Sequence, residues 1–174
     1  MVTREKRPVL SVQKPARAGG SKTRILIIEA RYYEKVSDAL MAGAKAEIEA
    51  AGIGHEVVTV PGALEIPHAL AQACAAGVIG ANASVARYIG AIALGCVIRG
   101  ETSHYDIVCN NANHWWNEIA VRHAVPNGNA ILTVDNEEQA MARARGGREG
   151  KGADAVRACL KLAELARAFQ GHDL

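Results

Sequence analysis

Aromatic residues are scarce: two tryptophans, four tyrosines and one phenylalanine make up 4% of 174 residues. Proteins that bind single-stranded nucleic acid stack bases on aromatic side chains set among basic ones, so this composition argues against a nucleic-acid partner. No apolar run approaches the roughly 18 residues of a membrane span, and the start, Met1-Val2-Thr3-Arg4-Glu5-Lys6-Arg7-Pro8, lacks the apolar centre of a secretory signal. A cytoplasmic protein with no membrane partner is expected. The four cysteines, Cys74, Cys96, Cys109 and Cys159, form no C-x-x-C pair, so reduced core thiols and no disulfide are expected. The histidines, His55, His68, His104, His114, His123 and His172, contain no H-x-x-x-H and join no Cys/His cluster, so no metal site is expected.

What is present divides unevenly. Arg4, Lys6, Arg7, Lys14, Arg17, Lys22 and Arg24 face only Glu5 in the first 24 residues, although the whole chain carries a formal charge of just +2. Residues 1–23 mix these charges with Pro8, Pro15, Gly19 and Gly20 and show no apolar periodicity, which predicts a flexible basic tail. Residues 24–174 suffice for one domain with a proper core.

Along that domain, strands and helices alternate. Arg24 to Ala30 is a β-branched run read as a buried strand. From Glu34 to Ala51 the positions Val36, Leu40, Ala44 and Ile48 keep helical spacing, and Gly52 stops it. A strand over His55–Val60, a helix over His68–Ala76 and a surface excursion from Gly77 follow. The third strand runs into Cys96-Val97-Ile98, a helix spans Asp106–Ala124, and Ala130–Val134 is the fourth strand. A helix carrying Arg143 and a last one over Ala153–Phe169 flank the break Arg145–Gly152. Trp115 and Trp116 face about 100° apart on one helix, so one of them meets another subunit rather than the core. Such alternation makes right-handed βαβ crossovers, hence an α/β, flavodoxin-like three-layer sandwich: a four-stranded parallel sheet with helices on both faces.

In such sheets ligands bind beyond the strands' carboxyl ends. There the chain changes abruptly from Ala93-Leu94-Gly95-Cys96-Val97-Ile98 to Arg99-Gly100-Glu101-Thr102-Ser103-His104, offering N–H groups and hydroxyls to an anion and an imidazole to a proton transfer. Tyr32, at the end of the first strand, either stacks on a planar ligand or covers the sheet's rim with Tyr33. Glu65 either complements a helix dipole or accepts hydrogen bonds from a polyhydroxyl ligand. Arg143 reaches its own crevice or a neighbour's. Gly150-Lys151 is no P-loop: Arg145 stands where the first glycine belongs, Gly152 where Ser or Thr must hold magnesium, and a helix precedes it instead of a strand.

These blocks together resemble the 6,7-dimethyl-8-ribityllumazine synthase family. The resemblance rests on Glu29-Ala30-Arg31-Tyr32, Val60 to Pro67, Ala93 to Asp106, Thr133 to Ala140 and Lys151-Gly152, five blocks in order at compatible spacing. It implies riboflavin biosynthesis: a cofactor-independent condensation of 5-amino-6-(D-ribitylamino)uracil with 3,4-dihydroxy-2-butanone 4-phosphate, releasing phosphate and water. By the same resemblance Tyr32 stacks on the pyrimidine, Ala63, Leu64 and Glu65 hold the ribityl chain, and Cys96, Val97 and Ile98 meet the heterocycle. Glu101 and Thr102 offer N–H groups to the phosphate, Arg143 clamps it, and His104 is the general acid/base. Leu64 and Asn129 stand where the family commonly has phenylalanine, so Asn129 would meet the ring by hydrogen bonding. The resemblance further implies homopentamers with active sites between subunits, in some members assembled into larger shells, and makes riboflavin synthase a candidate partner.

Overall fold

The computed structural model describes residues 23–171 with their side chains and the backbone of residues 16–18. Most of the basic tail, residues 1–15 and 19–22, and His172 lie outside the described residues. Four parallel strands form the sheet: β2 (Arg24–Ala30), β3 (Gly54–Val60), β4 (Gly90–Ile98) and β5 (Asn127–Val134). A short β1 (Ala16–Ala18) adds antiparallel to β3, completing the order β1-β3-β2-β4-β5. The tail reading therefore gives way at these three residues. β3 would otherwise present an open edge, and pairing its backbone groups needs no apolar side chain in the added strand.

Each strand feeds two cores, because successive side chains leave a strand on opposite faces. Ile25, Ile27, Ile92, Leu94, Ala130 and Leu132 pack under α1 (Glu34–Ala50), α4 (Glu137–Ala144) and α5 (Lys151–Phe169). Leu26, Ile28, Ala91, Ala93 and Ile131 pack under α2 (Glu65–Ala75) and α3 (His104–Arg122). Helices thus cover both faces, as the alternation required. Close approach of α5 to the sheet depends on glycine: a Cβ on Gly128 would lie 1.8 Å from the Ala155 carbonyl oxygen. Trp116 is wholly buried and donates from Nε1 to Asn127 Oδ1 at 3.1 Å, whereas Trp115 is 47% exposed. The split between the two tryptophans is as expected, and the Trp115 ring meets the His114 ring edge to face with centroids 5.3 Å apart.

Element starts differ from the sequence reading in two places that matter. α2 begins at Glu65 rather than His68, so Glu65 opens the helix; Pro67 fits within its first turn, where a missing N–H costs nothing. α3 begins at His104 rather than Asp106, and its preceding residue Ser103 makes no side-chain cap. All four cysteines are free thiols, Cys96 and Cys159 buried. Among the described residues no helix is long and apolar enough to cross a membrane.

Candidate active site

The chain leaves β2 toward β3 on one side and, after α2, returns to β4 on the other. That reversal opens a crevice at the carboxyl ends of β2 and β4. It encloses about 420 Å³, within the range of small-molecule sites.

Three chain segments line it. The first, Tyr32 and Tyr33, follows β2; the rings meet edge to face with centroids 5.0 Å apart. Tyr32 is 57% exposed at the mouth. The neighbouring Arg31 donates to Asp38 Oδ1 at 2.5 Å and to Glu29 Oε2 at 3.3 Å. Glu29, itself buried in β2, also accepts from Thr59 Oγ1 at 3.0 Å, so this turn is tied to two strands. The second segment is Pro61-Gly62-Ala63-Leu64-Glu65, between β3 and α2. Gly62 leaves room for the carboxylate, since a Cβ there would stand 3.1 Å from Glu65 Oε2.

The third segment runs from Cys96, Val97 and Ile98 through Gly100 and Thr102 to His104, Tyr105 and Val108. His104 is the first residue of the 19-residue α3, so the crevice meets the positive end of a helix dipole, where the Asp106 and Ile107 N–H groups already donate to the Ser103 carbonyl at 3.1 and 3.4 Å. Burial pushes the Cys96 thiol up to about 11 and also raises the phenols of Tyr33 and Tyr105. These groups stay protonated near neutral pH and act as donors rather than bases. His104 is the one histidine among the described residues of the lining.

Nine of the twelve residues singled out in the sequence line this crevice: Tyr32, Ala63, Leu64, Glu65, Cys96, Val97, Ile98, Thr102 and His104. Glu101 is exposed on the turn before α3 and does not line it. Asn129 and Arg143 lie elsewhere. Asn129 is an exposed residue of β5, donating to Asn113 Oδ1 at 2.7 Å and accepting from the Ile131 N–H at 2.8 Å. Arg143 is an exposed residue of α4 that donates to the Gln139 carbonyl at 3.1 Å. Among the described residues no lysine or arginine lines the crevice. Tyr33, Tyr105 and Val108 were not singled out as ligand-facing. With α3 starting at His104, Val108 lies one turn on from it, a relation hidden when the helix is begun at Asp106.

The family model described as 6,7-dimethyl-8-ribityllumazine synthase matches residues 22–167. Three relatives carry that same description. The Agrobacterium fabrum protein is 48% identical over 151 residues, covering 87% of this chain and 99% of that one. One of Rhodopseudomonas palustris is 48% identical, covering 84% and 88%. One of Rhizobium meliloti is 50% identical, covering 81% and 90%.

Proposed function

The chain belongs to the 6,7-dimethyl-8-ribityllumazine synthase family, and from that premise we propose how its crevice and its β5–α4 edge divide the family's chemistry between them. It is a transferase of riboflavin biosynthesis that joins 5-amino-6-(D-ribitylamino)uracil to 3,4-dihydroxy-2-butanone 4-phosphate, releasing phosphate and water. The amine attacks the ketone and water leaves to give an imine; phosphate then departs, and the ring closes with loss of a second water. Every step moves a proton.

In this reading Tyr32 stacks on the pyrimidine at the mouth, for which its exposure suits it. Ala63, Leu64 and Glu65 hold the ribityl chain, with the Glu65 carboxylate accepting from its hydroxyls. Cys96, Val97 and Ile98 border the heterocycle. Backbone N–H groups near Glu101 and Thr102, at the start of α3, take the phosphate, as helix N-termini take anions. His104 shuttles the protons between amine, ketone and leaving groups.

One requirement is unmet within the crevice, because a departing phosphate calls for a cation. The observation that carries the division is the pairing of a crevice that no described lysine or arginine lines with an exposed Arg143 on a different edge. Arg143, with Asn129, therefore serves the crevice of an adjacent subunit. A homopentamer supplies such a neighbour, and exposed Ile107, Trp115 and Val121 on α3 give it apolar surface to bury. The four free thiols suit a reducing cytoplasm. Riboflavin synthase is a candidate partner through family resemblance alone. The test is to mix the full chain with both substrates and follow lumazine absorbance and released phosphate: stoichiometric formation of both is expected, whereas binding of the pyrimidine without product would overturn it.

A further inference from the structure

Arg99 does not line the crevice, yet its contacts converge on the helical turn that carries His104. Its backbone N–H donates to the Val134 carbonyl at 2.8 Å, prolonging the pairing of β4 with β5 beyond Ile98. Its guanidinium carbon lies 4.0 Å from the centroid of the Tyr105 ring. Nη1 stands 3.6 Å from Asp106 Oδ1, and Nε donates to Asp135 Oδ1 at 3.2 Å. Asp135 is held in turn, its N–H donating to Gln139 Oε1 at 3.0 Å, beside the Asn136 cap of α4. One side chain thus spans from the first turn of α3 to the start of α4.

We propose that Arg99 is a positioning residue for His104, clamping the residues that follow it, Tyr105 and Asp106, against Asp135 so that the imidazole keeps a fixed direction at the crevice. The inference rests on the acid/base reading of His104. Chemistry favours arginine here: its planar fork can stack on a ring while reaching two carboxylates, which an ammonium cannot do. Stability gives little reason for the arrangement. Asp106 and Asp135 are 57% and 65% exposed and Arg99 is 47% exposed, and ion pairs so open to water add little to folding. What they can supply is orientation, and a misplacement of about 1 Å can cost about a hundredfold in rate.

The experiment is a double-mutant cycle on the full chain, with turnover and KM measured for both substrates. Arg99→Ala is expected to lower kcat roughly 10- to 100-fold while KM moves less than about twofold. In a His104→Ala background the same change is expected to cost nothing further, because its effect passes through the missing imidazole. Asp135→Asn, which removes one anchor and leaves the arginine, is expected to show a smaller loss of the same kind, and it stands in should Arg99→Ala fail to fold. Losses that multiply in the double variant, or a raised KM at unchanged kcat, would overturn the positioning role while leaving the acid/base reading in place. Wild-type turnover in His104→Ala alone would overturn that reading and the role of Arg99 with it.

Discussion

The crevice and the β5–α4 edge make opposite use of the same sheet. In the crevice, the reversal of chain direction between β2 and β4 gathers residues as distant in sequence as Tyr32 and Val108 around one cavity. At the edge, Asn129 and Arg143 project from elements with no further strand beyond them, Asn129 bonded to Asn113 on α3 and to the nearby Ile131 N–H, Arg143 to the Gln139 carbonyl one turn back. On the proposed division the crevice supplies stacking, hydroxyl recognition and a proton carrier, and the edge supplies a cation. That proposal makes the fold complete as a core while the parts of its site lie on two surfaces, to be joined by a symmetric assembly.

Breaking the edge is expected to cost most. Arg143→Ala removes the charge proposed to stabilise phosphate as it binds and leaves, and turnover is expected to fall about 10²- to 10³-fold, with sedimentation unchanged. Breaking the crevice at His104→Ala is expected to cost about a hundredfold, the lower range for general acid–base catalysis, since amine addition to a ketone proceeds slowly without help. Turnover assays at saturating substrate rank the two, and an Arg143→Ala enzyme with wild-type kcat would remove the edge from the site.

The smallest effect separates how the two regions are anchored. The Arg148 guanidinium, with Arg157 beside it, holds the Glu47 carboxylate below its ordinary value of 4.5, at distances of 2.8 and 3.0 Å. Arg148 lies in the 3-10 turn Gly147–Glu149 that joins α4 to α5, so this pairing fixes the connector behind Arg143. A carboxylate depressed in the folded state contributes stability that is full above the unfolded value and is lost as pH falls through the folded one. As pH falls below Glu47's ordinary value of 4.5, the thermal midpoint of the wild type is expected to drop further than that of Glu47→Gln. Parallel acid profiles of the two proteins would show that Glu47 carries no such contribution.

Much of this was legible from residue order because the strongest signals are local. The apolar runs of β2 and β4 mark strands buried on both faces, and the switch to Gly100-Glu101-Thr102-Ser103-His104 marks where β4 ends. The spacing of Val36, Leu40, Ala44 and Ile48 marks α1. Other features depend on partners far along the chain. Asn127, Gly128 and Asn129 carry no strand signal and extend β5 only because Ala91, Ile92 and Ala93 stand opposite. Ala16–Ala18 becomes a strand only where β3 leaves an edge open. Thr102 and Ser103 resemble a loop before a capped helix, yet α3 starts at His104 without a side-chain cap. The bracing by Arg99 joins residues up to 36 positions apart, beyond the reach of any local pattern.

The division of the site between subunits is tested most directly by mixing two damaged chains. His104→Ala and Arg143→Ala are each co-expressed alone and then together in equal amounts, and turnover is measured on the purified assemblies. A site that takes its crevice from the Arg143→Ala chain and its edge from the His104→Ala chain is intact, so the mixed assembly is expected to recover about a quarter of wild-type turnover. A mixture no more active than the mean of the two separate variants would show that His104 and Arg143 do not meet across a subunit boundary.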